Sequence, residues 1–447
     1  MNHIPENDLA LFAFSPDAVP LMLGAEIQRH TTDCSDCRAT MDFFYAAEEA
    51  LGDPDVWESV TGSSTLDSLR AHADRIAAED AEADELLAPF FASPATAPWT
   101  NITTLKRFVT GGVARRLSAY AHDIVDSDPL DAFQFAGAAI SVAEALPPDA
   151  YPARAVYELR GTAWKERANA QLRLGQLTGA LESLDRAERA YTQLTSSALG
   201  LASVALVRAG VFYQQQRLDE AAAMAQQAEQ GFAHLGDGER RMKAVYLRGS
   251  IQYESQQLDQ AAALYRKVLD HGQAVNDPGW IARGAYALGH CEVDRGNLAE
   301  AGRHFQTALT LFRELGPAAE RVGAEWGIAR VLLHGGHYSD AVRRLREVVR
   351  EFESRGMVAD AASASLDIAD ALLAMGSTRE IVELASRLVP VFEEAGMRTG
   401  ALTALAYMKE AAAAGTLTAE TVHAVRTFLR RAERQPALLF APPPTSR

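Results

Sequence analysis

The sequence predicts an all-α chain: a small N-terminal helical domain followed by an α-solenoid of helical hairpins. Three observations carry this expectation. The first is a turn that recurs every 40 or 41 residues: Gly175-Gln-Leu-Thr-Gly-Ala180, Gln216-Arg-Leu-Asp-Glu-Ala221, Gln256-Gln-Leu-Asp-Gln-Ala261, Gly296-Asn-Leu-Ala-Glu-Ala301, Gly336-His-Tyr-Ser-Asp-Ala341 and Gly376-Ser-Thr-Arg-Glu-Ile381. The second is a small residue seven positions before each turn: Ala168, Ala209, Gly249, Gly289, Ala329 and Ala369. The third is composition, since from about Leu105 the chain is rich in Ala, Leu, Arg, Glu and Gln with short Gly/Asp interruptions. These are good helix formers punctuated by helix stops, and a fixed period of this length marks a stacked repeat.

At the N-terminus, His30-Thr-Thr-Asp-Cys34-Ser-Asp-Cys37 holds two of only three cysteines in 447 residues. A helix over Glu26–Met41 would set positions 30, 34 and 37 at i, i+4 and i+7, on one face. Two thiolates and an imidazole make three quarters of a tetrahedral zinc site. His3 is the best candidate for the fourth ligand, with Glu6, Asp33 or Asp36 behind it. A redox dithiol would need a preceding strand in a βαβ setting, which this segment lacks. A structural disulfide does not fit so few cysteines without a secretory signal, and unligated thiols on a helix are the remaining reading.

The spacing resembles the zinc-containing anti-sigma factor domain, which reads His, about two dozen residues, then His-x3-Cys-x2-Cys. Here that becomes His3, then His30-x3-Cys34-x2-Cys37. The intervening stretch is similar too, with an acidic-apolar helix at Glu6–Phe14, a break at Ser15-Pro16-Asp17 and a second helix carrying the late ligands. The resemblance covers residues 1 to about 55. It implies a structural Zn2+ held by His3, His30, Cys34 and Cys37, and a sigma factor as protein partner. A His2Cys2 shell leaves no open position for hydrolytic chemistry. Sigma would then be gripped by Ala39–Leu51 and Ser64–Leu87, with Phe43, Phe44 and Tyr45 as apolar anchors. Redox-sensing members carry another cysteine just after the first histidine; Asn7 stands there, so no thiol switch is expected.

Residues 1–52 therefore form the expected zinc domain, closed by Gly52-Asp-Pro54. The next helix, Ser64–Leu87, places Leu66, Leu69, Ala73, Ile76 and Ala77 on one side, and its acidic run Glu79–Glu85 reads as a solvated face. Pro89, Pro94 and Pro98 mark a linker or irregular packing segment over Pro89–Asn101, so 53–103 is assigned to helix and linker.

The solenoid is expected over 104–434. Apolar or small residues follow four and seven positions after the first alanine of each second helix, as at Tyr265 and Val268, Phe305 and Ala308, Leu345 and Val348. Small residues let paired helices approach, and the larger ones fill the gap to the next pair. The unit resembles the tetratricopeptide repeat, including Trp164 at the early aromatic position, which implies a right-handed superhelix with a concave groove for a peptide or protein. The period exceeds the family's usual 34 residues, which predicts longer helices. A degenerate earlier unit is expected at Lys106–Leu146 around Asp128-Pro-Leu-Asp-Ala132, and a capping helix at Thr418–Glu433. Residues 435–447 are a Pro-rich tail.

Composition excludes several classes. The formal net charge of −16 disfavours direct nucleic-acid binding. No apolar run reaches the roughly 18 residues of a membrane span, and the acidic start shows no secretory signal, so a cytoplasmic protein is expected. No Gly-rich phosphate loop, Gly-x-Ser-x-Gly or His-Glu-x-x-His occurs, so no enzyme is expected. His334-Gly-Gly-His337 reads as a solvated turn, Cys291 as a buried core thiol and Arg343–Arg350 as a solvated basic face. The leading functional expectation is an anti-sigma-like regulator whose repeats bind a second partner. The alternative is a repeat scaffold for complex assembly unrelated to transcription.

Overall fold

The computed structural model describes residues 64–92, 99–194, 197–316, 318–394, 399–434 and 440–441, together with Ile4, Leu9, Phe12, Val19, Leu23, Gly24, Ile27, Arg29–Thr31, Cys34, Cys37, Arg38, Thr40 and Met41. The chain divides into two compact units, Met1–Ala88 and Pro89–Arg447.

In the first unit Leu9, Val19, Ile27, Cys37 and Met41 are buried together, with Ile4, Phe12, Leu23 and Cys34 packed around them. Helix α1 (Ser64–Ala92) buries Ala83 and Leu87. It runs five residues past the expected end at Leu87, through Pro89, and its final turn belongs to the second unit.

The two described ends of the proline-rich stretch pack on the repeats. Phe91 stacks on Tyr120 with ring centroids 4.0 Å apart, and Trp99 meets Phe135 edge-on at 4.6 Å. These aromatics cover the exposed end of the first hairpin, α2 (Gly111–Ile124) and α3 (Pro129–Ala145). This is the degenerate unit anticipated at Lys106–Leu146. Thr110 and Asp128 cap its helices by accepting from Val113 N and Asp131 N.

Seven further hairpins follow among the described residues. Their first helices are α4 (Ala153–Arg173), α6 (Ala198–Gln214), α8 (Gly238–Glu254), α10 (Pro278–Asp294), α12 (Ala318–His334), α14 (Val358–Ala374) and α16 (Thr399–Ala413). Their second helices are α5 (Leu177–Tyr191), α7 (Leu218–His234), α9 (Leu258–Ala274), α11 (Leu298–Leu315), α13 (Tyr338–Ser354), α15 (Thr378–Glu394) and α17 (Ala419–Arg434). The expected lone cap, α17, is thus the second half of an eighth hairpin. Pairs of 17-residue helices with three-residue connections account for the long period.

The turn inside each hairpin from α4 to α15 has the same chemistry. Gly175 takes φ 69°, its N–H donates to Leu172 O, and Gln176 N donates to Gln171 O at 2.8 Å. This pair of bonds satisfies the last carbonyls of α4 and needs a left-handed residue at the hinge. The return turns repeat it at Gly236, Asn276 and Gly356, all at positive φ, whereas Gly316, also at positive φ, makes a single bond to Phe312 O because Pro317 has no N–H. Asp237 and Asp277 then cap the next helices.

Small residues set the spacing as predicted. A Cβ on Gly249 would lie 2.5 Å from Tyr265, and one on Gly289 2.8 Å from Phe305. Ala168, Ala209, Ala329 and Ala369 are fully buried at the equivalent contacts.

Candidate functional site

Two features are candidates, the His/Cys group in the first unit and the face formed by the first helices of the hairpins. In the first unit Cys34 N donates to His30 O at 2.8 Å, and Arg38 N donates to Cys34 O at 3.0 Å. Cys34 itself is not helical, whereas His30, Thr31, Cys37 and Arg38 are. The single helix expected over Glu26–Met41 is therefore interrupted at Cys34. Thr31 lies in a helical stretch before it and Cys37 and Arg38 in one after it, with Arg38 N donating to the Cys34 carbonyl. Arg38 ties across the break, its Nε donating to Thr31 O at 2.8 Å.

The break still brings the three residues together. One ring nitrogen of His30 and the sulfurs of Cys34 and Cys37 all lie within 4.8 Å of one another. Cys37 is buried in the local core and Cys34 is half-buried. His30 Nε2 is buried and has no hydrogen-bond partner. A buried imidazole nitrogen without a partner is costly, and a ligand bond would satisfy it. Two soft sulfurs beside one imidazole are the donor set of a tetrahedral site. Among the described residues this is the only group of three or more His, Cys, Asp or Glu so placed. The group can hold a metal ion. His3, expected as fourth ligand, lies outside the described residues, as do Glu6, Asp33, Asp36, Asn7, Phe43, Phe44 and Tyr45.

In the second unit the first helices of successive hairpins are joined by polar contacts that repeat with the period. Tyr213 donates to Glu254 at 3.5 Å, and Tyr253 donates to Asp294. Arg330 holds Asp294 at 3.1 Å and donates to His290 Nδ1 at 3.0 Å. Trp326 Nε1 donates to Asp367 at 2.7 Å, and Arg426 from α17 reaches Asp367 at 2.9 Å and Asp370 at 2.5 Å. Sequence reading missed this ladder. Its signal was the recurrence of polar residues 40 or 41 apart, as in 213/254, 253/294, 290/330 and 326/367.

The remaining motifs stand as expected. His337 is exposed beside the turn, and His334 is the last residue of α12. Cys291 is fully buried, and burial pushes its thiol up to about 12. Arg343 and Arg346 are exposed and paired with Asp340 and Glu380. No helix among the described residues is long and apolar enough to cross a membrane.

The tetratricopeptide repeat family matches residues 206–279, 246–320 and 327–380, so the chain carries tetratricopeptide repeats. No curated protein matches the sequence. Among solved structures, aspartyl phosphate phosphatase F from Bacillus subtilis is similar at 13% identity and TM-score 0.50, over 88% of this chain and 96% of that one. A Rap protein complexed with competence and sporulation factor is similar at 14% identity and TM-score 0.46, over 81% and 99%. A signal transduction ATPase with a tetratricopeptide repeat sensor, from Pyrococcus horikoshii, is similar at 13% identity and TM-score 0.49, over 73% and 53%. At these identities the likeness is one of fold, an α-solenoid.

Proposed function

We propose that this protein is a cytoplasmic, non-enzymatic regulator with two protein-binding parts. Its first unit takes up one structural Zn2+ through His30, Cys34 and Cys37, with His3 as fourth ligand, and grips a sigma factor as an anti-sigma factor does. Its repeats bind a second peptide or protein on the face of the first helices. The observation that carries the reading is the convergence of the unpartnered His30 Nε2 and two cysteine sulfurs within 4.8 Å. Zinc is favoured over harder cations because thiolate and imidazole donors suit it. In a small domain, metal binding can supply much of the folding free energy. Support for the second part is the repeat family itself, whose helical pairs build extended binding surfaces.

The test is metal content together with partner capture. Purified protein should carry one zinc per chain, and Cys34→Ser/Cys37→Ser should carry none while keeping the helicity of the repeats. A sigma factor should co-purify with the wild-type protein from its host and be lost from that variant. Zinc loss with an unchanged partner set would instead make the repeats the working part, as in an assembly scaffold.

A further inference from the structure

One arginine in the repeats lacks the partner that its counterparts have. Arg167, Arg208 and Arg248 occupy the same position on α4, α6 and α8, 41 and then 40 residues apart. Arg208 is neutralised by Asp185 and Glu188 of the preceding second helix, both at 2.8 Å. Arg248 is neutralised by Glu229 of α7. The first buried alanines of α3 and α5, Ala132 and Ala180, set the register between those helices. In that register the positions of Asp185 and Glu188 fall on Gly137 and Ile140 of α3.

The structure shows the consequence. A Cβ on Gly137 would lie 3.2 Å from an Arg167 guanidinium nitrogen, so the guanidinium sits where the carboxylate-bearing residue stands in the next repeat. Arg167 lies over the Phe133 ring at 4.3 Å and near Trp164 at 5.7 Å. Arg186 covers Trp164 at 4.5 Å. No carboxylate among the described residues pairs with either arginine. Two helical turns earlier on the same face of α4, Arg160 has a buried Nε without a partner. Burial, with Arg186 facing it, lowers the pKa of Arg167. Ring stacking leaves guanidinium edges open to a carboxylate. Three unmatched guanidiniums are out of character in a chain of net charge −16.

We propose that the face of α4 between α3 and α5 is a docking site for an acidic segment of a partner protein, one of whose carboxylates takes the place that Asp185 and Glu188 fill for Arg208. The occupant is a carboxylate because carboxylates occupy the two equivalent sites, and a protein segment because those carboxylates belong to Asp and Glu side chains. This site lies on the side of α4 turned toward the second helices, and it stands independently of the metal and sigma reading.

The test uses the full-length protein and a fluorescein-labelled hexaglutamate peptide at low salt, followed by anisotropy. Saturable binding is expected, weakened on the order of tenfold or more by Arg167→Gln, the scale of one lost charge-assisted contact. Gly137→Asp supplies the missing carboxylate within the chain and should abolish binding while raising the thermal midpoint. Gly137→Asn, of the same size and without the charge, should keep binding and separates charge from helix propensity. The proposal is overturned if Gly137→Asp binds like wild type, if Arg346→Gln on α13 weakens binding as much as Arg167→Gln, if an oligonucleotide of equal charge binds more tightly, or if no saturable binding occurs.

Discussion

Two histidines in the repeats carry a pH dependence whose sign follows from their surroundings. Burial, with Arg266 nearby, holds His304 below its ordinary value of 6.5. Partial desolvation at the end of α12, with Arg330 nearby, acts in the same direction on His334. Folded-state pKa values below the unfolded value mean that the unfolded chain takes up protons first as pH falls. These groups contribute nothing above about pH 7 and destabilise the repeats as pH drops through 6.5. The carboxyl of Asp370, raised by partial burial, acts in the opposite direction. Urea midpoints of the wild type should therefore fall between about pH 7 and pH 5. His304→Asn/His334→Asn should flatten that fall, and an unchanged slope in the double variant would refute the assignment.

At the scale of the helix and its turn, legibility depended on whether a constraint was local. The left-handed hinge needs Gly or a tolerant residue, so Gly175, Gly296, Gly336 and Gly376 announced it, and even Gln216 and Gln256 adopt it at φ 61° and 60°. The matching return turns at Gly236, Asn276, Gly316 and Gly356 went unread although they recur as regularly, because only the first turn is followed by a repeated alanine. The break at Cys34 was invisible, since i, i+4 and i+7 spacing also suits a continuous helix. Pro89 left linker and irregular packing both open, because the aromatic partners of Phe91, Tyr120 and Phe135, are distant in sequence. Close helix contact was partly legible. Gly249 and Gly289 stood out by period, whereas Gly284 did not. A Cβ on Gly284 would meet the Leu269 backbone nitrogen at 2.7 Å, and backbone cannot swing aside. Gly284→Ala should push α10 from α9 and destabilise the repeats by about 2 kcal/mol, measured by chemical denaturation.

For the second unit as a whole, the last hairpin adds a cation to the apolar packing that joins it to the preceding one. Arg426 on α17 bridges Asp367 and Asp370 on α14, and the Asp367 side chain is only 5% exposed. Removing one partner of a buried pair leaves the other charged and unsatisfied. Arg426→Ala should cost about 3 kcal/mol. Hydrogen exchange should rise first in α14 to α17 and leave α4 to α9 protected, because repeat arrays lose stability from an end. Uniform exchange along the array would count against a local latch. Neither Asp367 nor Arg426 could be matched from sequence, as they lie 59 positions apart in different repeats.

Hairpins that touch chiefly their neighbours also give this unit a mechanical character. Under tension, each joint can tilt slightly while the hydrogen bonds inside its 17-residue helices stay intact. Extension is then shared among the joints like the turns of a coil spring, and it is recovered when the load is released. A partner bound across several hairpins would feel that compliance as a restoring force, and a partner seated on one hairpin would not.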